Sequence, residues 1–129
     1  MRDLRKGFAT GMSLFLLLGL TSCAGKHMKP HYTKSSLQPV TVEKRSEGEL
    51  VIRYLVPPES MYYASGINYE AAGDAVRVVM DRCAINDECT TMIKRPTPLP
   101  EDRVAQVSLP YAGGTVTVVY TDGEEQVFP

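Results

Sequence analysis

The spacing of apolar positions changes character along the 129-residue chain. Phe8 to Leu20 is a nearly unbroken apolar run, and from Ala24 to Gln38 large apolar residues almost vanish. From Pro39 they return, now mostly at every second position, the period of a strand with one face buried. Val40 and Val42 alternate with polar neighbours, SEGE at 46–49 supplies a turn, and Leu50 to Val56 follows, ended by Pro57-Pro58. This predicts a hairpin whose second strand puts Ile52, Tyr54 and Val56 on one face and Val51, Arg53 and Leu55 on the other. Residues 88–95 are expected to return antiparallel to a strand at 75–83. RPTPLPED at 95–102 reads as a stiff crossover between sheets. Runs at 103–109, 115–120 and 124–128 are expected to form a meander, with Asp122-Gly123 as a type I′ turn.

Two stretches carry competing patterns. In Ala75–Cys83 a strand gathers Val76, Val78 and Met80, whereas a helix starting near Asn68 gathers Ala72, Ala75, Val76, Val79, Met80 and Cys83. Three valines and Gly73 favour the strand. In Glu59–Asp74, Tyr62, Tyr63 and Tyr69 sit among Ser, Gly and Asn. A strand with tyrosine hydroxyls at the rim is preferred there. The same composition also suits a recognition surface, because tyrosine offers large contact area at low entropy cost. On that reading Tyr62, Tyr63, Ser65, Gly66 and Tyr69 are the candidate binding residues. The fold expected is mainly β: a small antiparallel β-sandwich, immunoglobulin-like or similar, with one disulfide. The alternative is α+β with a helix near 68–83.

The start of the chain supplies an address. Arg2, Arg5 and Lys6 precede the apolar run, which is too short for a bilayer needing roughly 20 apolar residues, and the run ends in Leu20-Thr21-Ser22-Cys23. In these residues the chain resembles the bacterial lipoprotein class. The resemblance implies a signal peptide over 1–22, thioether diacylglycerol on Cys23, cleavage before it, and palmitate-type acylation of the new amine. Ala24, where an Asp would retain the protein at the inner membrane, implies the outer membrane, facing the periplasm, with surface display left open. Two or more acyl chains make a lasting anchor, since each buried CH₂ contributes ~0.8 kcal/mol.

Processing changes the composition. Loss of Arg2, Asp3, Arg5 and Lys6 leaves 11 basic and 14 acidic residues, a formal −3. Residues 24–38 hold Lys26, Lys29 and Lys34 and no acid, and are expected to form a disordered tether. The single domain expected over 39–129 then carries eight basic and 14 acidic residues, a formal −6. Such a balance argues against nucleic acid as a partner. With Cys23 lipidated, Cys83 and Cys89 remain as a pair in an oxidising compartment, expected to bridge a hairpin neck.

No constellation commits to catalysis. His27 and His31 both fall in the tether, Pro30 disfavours a helix that would align them on a metal, and no cofactor motif occurs. Glu101-Asp102 and Glu124-Glu125 read as solvated carboxylates. Ser65-Gly66-x-x-Tyr69 is similar to a short motif in a family of periplasmic lysozyme inhibitors, in which the motif loop enters the lysozyme cleft. The leading expectation is a non-catalytic lipoprotein that binds a protein or another envelope component. The alternatives are an accessory lipoprotein of a secretion or pilus complex and a lysozyme inhibitor.

Overall fold

The computed structural model describes residues 28–129. The signal peptide expected over 1–22, Cys23 and His27 lie outside the described residues. After a one-turn helix α1 (Lys34–Leu37) come β1 (Thr41–Ser46), β2 (Glu49–Leu55), β3 (Tyr62–Ala72), β4 (Ala75–Ala84), β5 (Ile93–Lys94), β6 (Val104–Pro110), β7 (Thr115–Tyr120) and β8 (Gly123–Phe128). The strands form two sheets, ordered β1-β2-β6 and β5-β3-β4-β7-β8. The result is a small, mainly β sandwich. Its pairs are antiparallel except β4 with β7, which run parallel.

The alternation read from the sequence places the core. Leu50, Ile52 and Tyr54 of β2 and Ala105, Val107 and Leu109 of β6 face Ile67, Val78, Met80, Val116 and Val118 of the larger sheet, all essentially buried. Full burial of an aliphatic side chain contributes ~1.5–3 kcal/mol, so these positions dominate the stability of the sandwich. Ala75–Ala84 is a strand rather than the alternative helix. Ala72 pairs with Ala75 across a Gly73-Asp74 turn, Gly73 has φ +65, and pairing then runs back to Tyr62 and Ala84. Gly73 supplies the left-handed turn, and stiff β-branched valines suit the ladder that follows.

Four expectations change. The last three runs are not a meander: β6 pairs with β2, while β7 pairs with β4 and β8. Pro110–Gly114 carries the chain between sheets, and at Gly114 (φ +92) a Cβ would collide with the carbonyl oxygen of Asp74. The β7–β8 hairpin forms, but Tyr120 pairs with Gly123, leaving Thr121-Asp122 as its loop. Among the described residues Arg103 is the sole non-glycine with positive φ, so this is not a type I′ turn. The return after β4 does not pair with β4: β5 lies on the far side of β3, pairing Ile93 with Ile67 and Lys94 with Gly66.

The fourth change concerns the tether, which does not extend to residue 38. Tyr32 is 7% exposed and Leu37 is 1% exposed, and both join the core. Thr121 N donates to Tyr32 O at 2.9 Å, Lys34 N to Asp122 Oδ1 at 2.9 Å, and Lys34 Nζ lies 2.9 Å from Glu125. The physical reason lies in the sheet. Pairing of β7 with β4 covers Ala75–Val78, and the N-terminal segment runs beside the next stretch of β4, with His31 Nε2 3.9 Å from Asp81 Oδ1.

Candidate functional site

The route from β4 to β5 builds the most distinctive surface. To reach the far side of β3, residues 85–92 cross that strand as a strap, held at its start by the Cys83–Cys89 disulfide, with Cα atoms 6.0 Å apart. The disulfide therefore closes the base of the strap rather than the neck of a two-stranded hairpin. Buried polar side chains hold the strap's other end. The Thr91 hydroxyl donates to Asp81 Oδ2 at 2.7 Å, so its single proton is committed and the Ser65 hydroxyl, 2.7 Å away, must be the donor to it. Met92 N donates to Asn68 Oδ1 at 2.8 Å. Ser65, Asn68 and Thr91 are all buried, where leaving such groups unpaired costs about 1–3 kcal/mol each.

These contacts assign the candidate binding residues. Ser65 and Gly66 are buried inside β3, and a Cβ on Gly66 would collide with the carbonyl oxygen of Ile93. The Ser65-Gly66-x-x-Tyr69 motif thus lies within a central strand, not in a projecting loop, and Tyr69 packs partly buried against the core. Ser65 and Gly66 have structural jobs. Tyr62 and Tyr63 are exposed, at 42% and 39%.

Around those tyrosines the structure gathers residues that the sequence pattern did not single out. Ile85 N donates to Met61 O at 3.1 Å, extending the β3–β4 pairing by one step, and Met61 and Ile85 are 68% and 58% exposed. Met61, Tyr62, Tyr63 and Ile85 thus cluster as exposed large side chains at the open end of the ladder, with Tyr62 and Tyr63 on opposite faces of the sheet. Tyr63 also lines a cleft of about 520 Å³ with Asp87, Glu88, Cys89 and Lys94.

Behind this surface is a charged cluster that ties down the N-terminal segment. Arg82 Nε donates to Glu59 Oε2 at 2.6 Å and Tyr32 OH to Glu59 Oε1 at 2.6 Å. The Arg82 guanidinium carbon stands 4.0 Å from the Tyr62 ring centroid and 6.0 Å from that of Tyr32. Such cation–π contacts fix ring orientation as well as adding stability. Burial, then the hydrogen bond to Glu59, pushes the Tyr32 hydroxyl well above the usual phenol range, so it stays a donor. The Glu59 bond raises the pKa of Arg82 as well. Among the described residues no group of three His, Cys, Asp or Glu side chains is disposed to hold a metal ion.

No protein-family model, no curated protein and no solved structure matches the chain.

Proposed function

We propose that the protein is a lipoprotein of the outer membrane, anchored through diacylglycerol and an N-acyl chain on Cys23, and that it works as a non-catalytic binding module facing the periplasm. Its contact surface is the Met61, Tyr62, Tyr63 and Ile85 end of the β3–β4 ladder. The supporting observation is the grouping of these exposed large side chains on one rigid edge, with Tyr62 stacked on Arg82 and the strap beside it pinned by a disulfide. Rigid aromatic anchors lose little entropy on binding, which is what contact surfaces use.

Two measurements test this. Growing cells fed a labelled fatty acid should label the full chain and not Cys23→Ser; equal labelling of both would remove the anchor. A photoreactive group at position 61 should form adducts in intact cells, and the same group at Ala72, at the opposite tip of the ladder, should not. Equal adduct yield at the two positions would remove the surface.

A further inference from the structure

We propose that the Met61, Tyr62 and Ile85 end of the ladder rests on the bilayer that carries the Cys23 anchor, so that the domain lies against the membrane instead of hanging from a long leash. This rests on the lipoprotein reading given above and names the partner of the same surface.

The argument starts from chain length. Four residues lie between Cys23 and Met28, where the described chain begins, which makes five Cα-to-Cα steps. An extended chain covers at most about 3.6 Å per residue, so Met28 stays within roughly 18 Å of the lipidated Cys23. The fifteen-residue tether expected from composition would have allowed about three times that reach.

The point of entry also fixes which surface comes near the lipid. Lys29 lines one groove with Arg82, Glu88 and Cys89. Arg82 stacks on Tyr62, and Ile85 is three residues further along the same chain. At about 3.4 Å per residue the apolar surface lies on the order of 10 Å from the entry, inside the leash's reach. The Gly73-Asp74 tip lies roughly 30 Å away, at the far end of the ladder.

The chemistry fits a bilayer interface. Tyrosine places an apolar ring at headgroup level with its hydroxyl in water, and methionine adapts to an irregular apolar surface. Lys29 and Arg82 share one groove with Asp81 and Glu88, and Asp87 shares the neighbouring cleft with Lys94 and Arg95, so the fixed charges are mixed in sign. Contact therefore depends on apolar insertion, and it persists when salt screens surface charge.

The chain contains no tryptophan, so single reporters can be introduced cleanly. Full-length lipidated protein carrying Met61→Trp, Ile85→Trp or Ala72→Trp is reconstituted in vesicles of phosphatidylethanolamine and phosphatidylglycerol, with and without brominated acyl chains. Bromolipid quenching several times stronger at 61 and 85 than at 72, unchanged by added salt, is the expected result. Floating protein with equal quenching at all three positions, or with none at 61 and 85, overturns bilayer docking while leaving the anchor intact. Protein that carries no fatty acid and does not float overturns the anchor and the docking together. Photo-adducts from position 61 made only with another protein would assign the surface to that protein and overturn the proposal.

Discussion

Leu37→Ala separates a packed N-terminal segment from a solvent-borne tether. Leu37 is 1% exposed and belongs to the core cluster, although it sits in a helix of four residues flanked by polar sequence. Removing a buried leucine side chain costs its transfer free energy plus a cavity term, roughly 2–5 kcal/mol. A domain of this size has a net stability of about 5–15 kcal/mol, so the loss is a large share of the total. For about 100 residues, 1 kcal/mol corresponds to roughly 4–8 °C, so a mid-range loss lowers Tm by about 15–30 °C. The assay is urea and thermal unfolding of the mature protein followed by far-ultraviolet circular dichroism, with exposed Ser35→Ala as the control. If Leu37→Ala and Ser35→Ala agree within about 0.5 kcal/mol, the segment is not part of the fold. The short leash, and the membrane contact argued from it, would then fall with it.

Three further outcomes follow from the contacts. Replacing Cys83 and Cys89 together by Ser should cost about 2 kcal/mol in the chain-entropy account of a short ring, and should speed amide exchange at Met92; unchanged stability and exchange would show that the polar contacts alone hold the strap. The hydrogen bond from Lys34, despite partial burial, holds the Glu125 carboxyl below its ordinary value. Its stabilisation is therefore complete above about pH 4.5 and lost as pH falls through the depressed value, so Lys34→Met should raise the Glu125 midpoint followed by NMR, and an unmoved midpoint would refute the pair. Burial and then the Glu125 charge push the Tyr120 hydroxyl up to about 12, and Tyr32 is also raised. Stability from these groups is present below about pH 10 and lost as pH rises through the folded values, which an absorbance titration of tyrosinate alongside alkaline unfolding should show; ionisation of all seven tyrosines near pH 10 in the folded protein would contradict it.

What the sequence made legible was local. The β1–β2 and β7–β8 hairpins follow from period-two alternation with turn residues between, and the proline-rich 95–102 segment does cross between sheets. The parallel pairing of β4 with β7 and the transfer of β6 to the other sheet depend on contacts between distant residues, which alternation does not encode. Tyr32 and Leu37 were missed because two apolar residues five apart among polar ones fit neither strand nor helix period. They become intelligible once β4 has an edge that β7 leaves uncovered. On the proposed contact surface, Tyr62 and Tyr63 stood out by composition. Met61 and Ile85 did not, since only the register of β3 on β4 brings them together, and the same register buries Ser65 and Gly66.

Tyr54 tests the core from the other direction, because one chemical change should have opposite signs at two positions. Its side chain is fully buried in β2, and its hydroxyl has no hydrogen-bond partner among the described residues. Burial also raises its pKa well above the usual phenol value, so the group remains a neutral, unpaired donor. Tyr120, also buried, bonds through its hydroxyl to Gln38 Nε2 and Glu125 Oε1, both at 3.3 Å. Removing a satisfied hydroxyl typically costs about 1 kcal/mol, whereas removing a buried unsatisfied one recovers part of a desolvation penalty of about 1–3 kcal/mol. Tyr54→Phe should therefore raise the urea midpoint and Tyr120→Phe should lower it, each by the equivalent of about 1 kcal/mol with the slope unchanged. Equal destabilisation by both would mean that the Tyr54 hydroxyl is satisfied after all, by a bound water or by chain beyond the described residues. Opposite signs would confirm that β2 carries a polar atom the core would be more stable without.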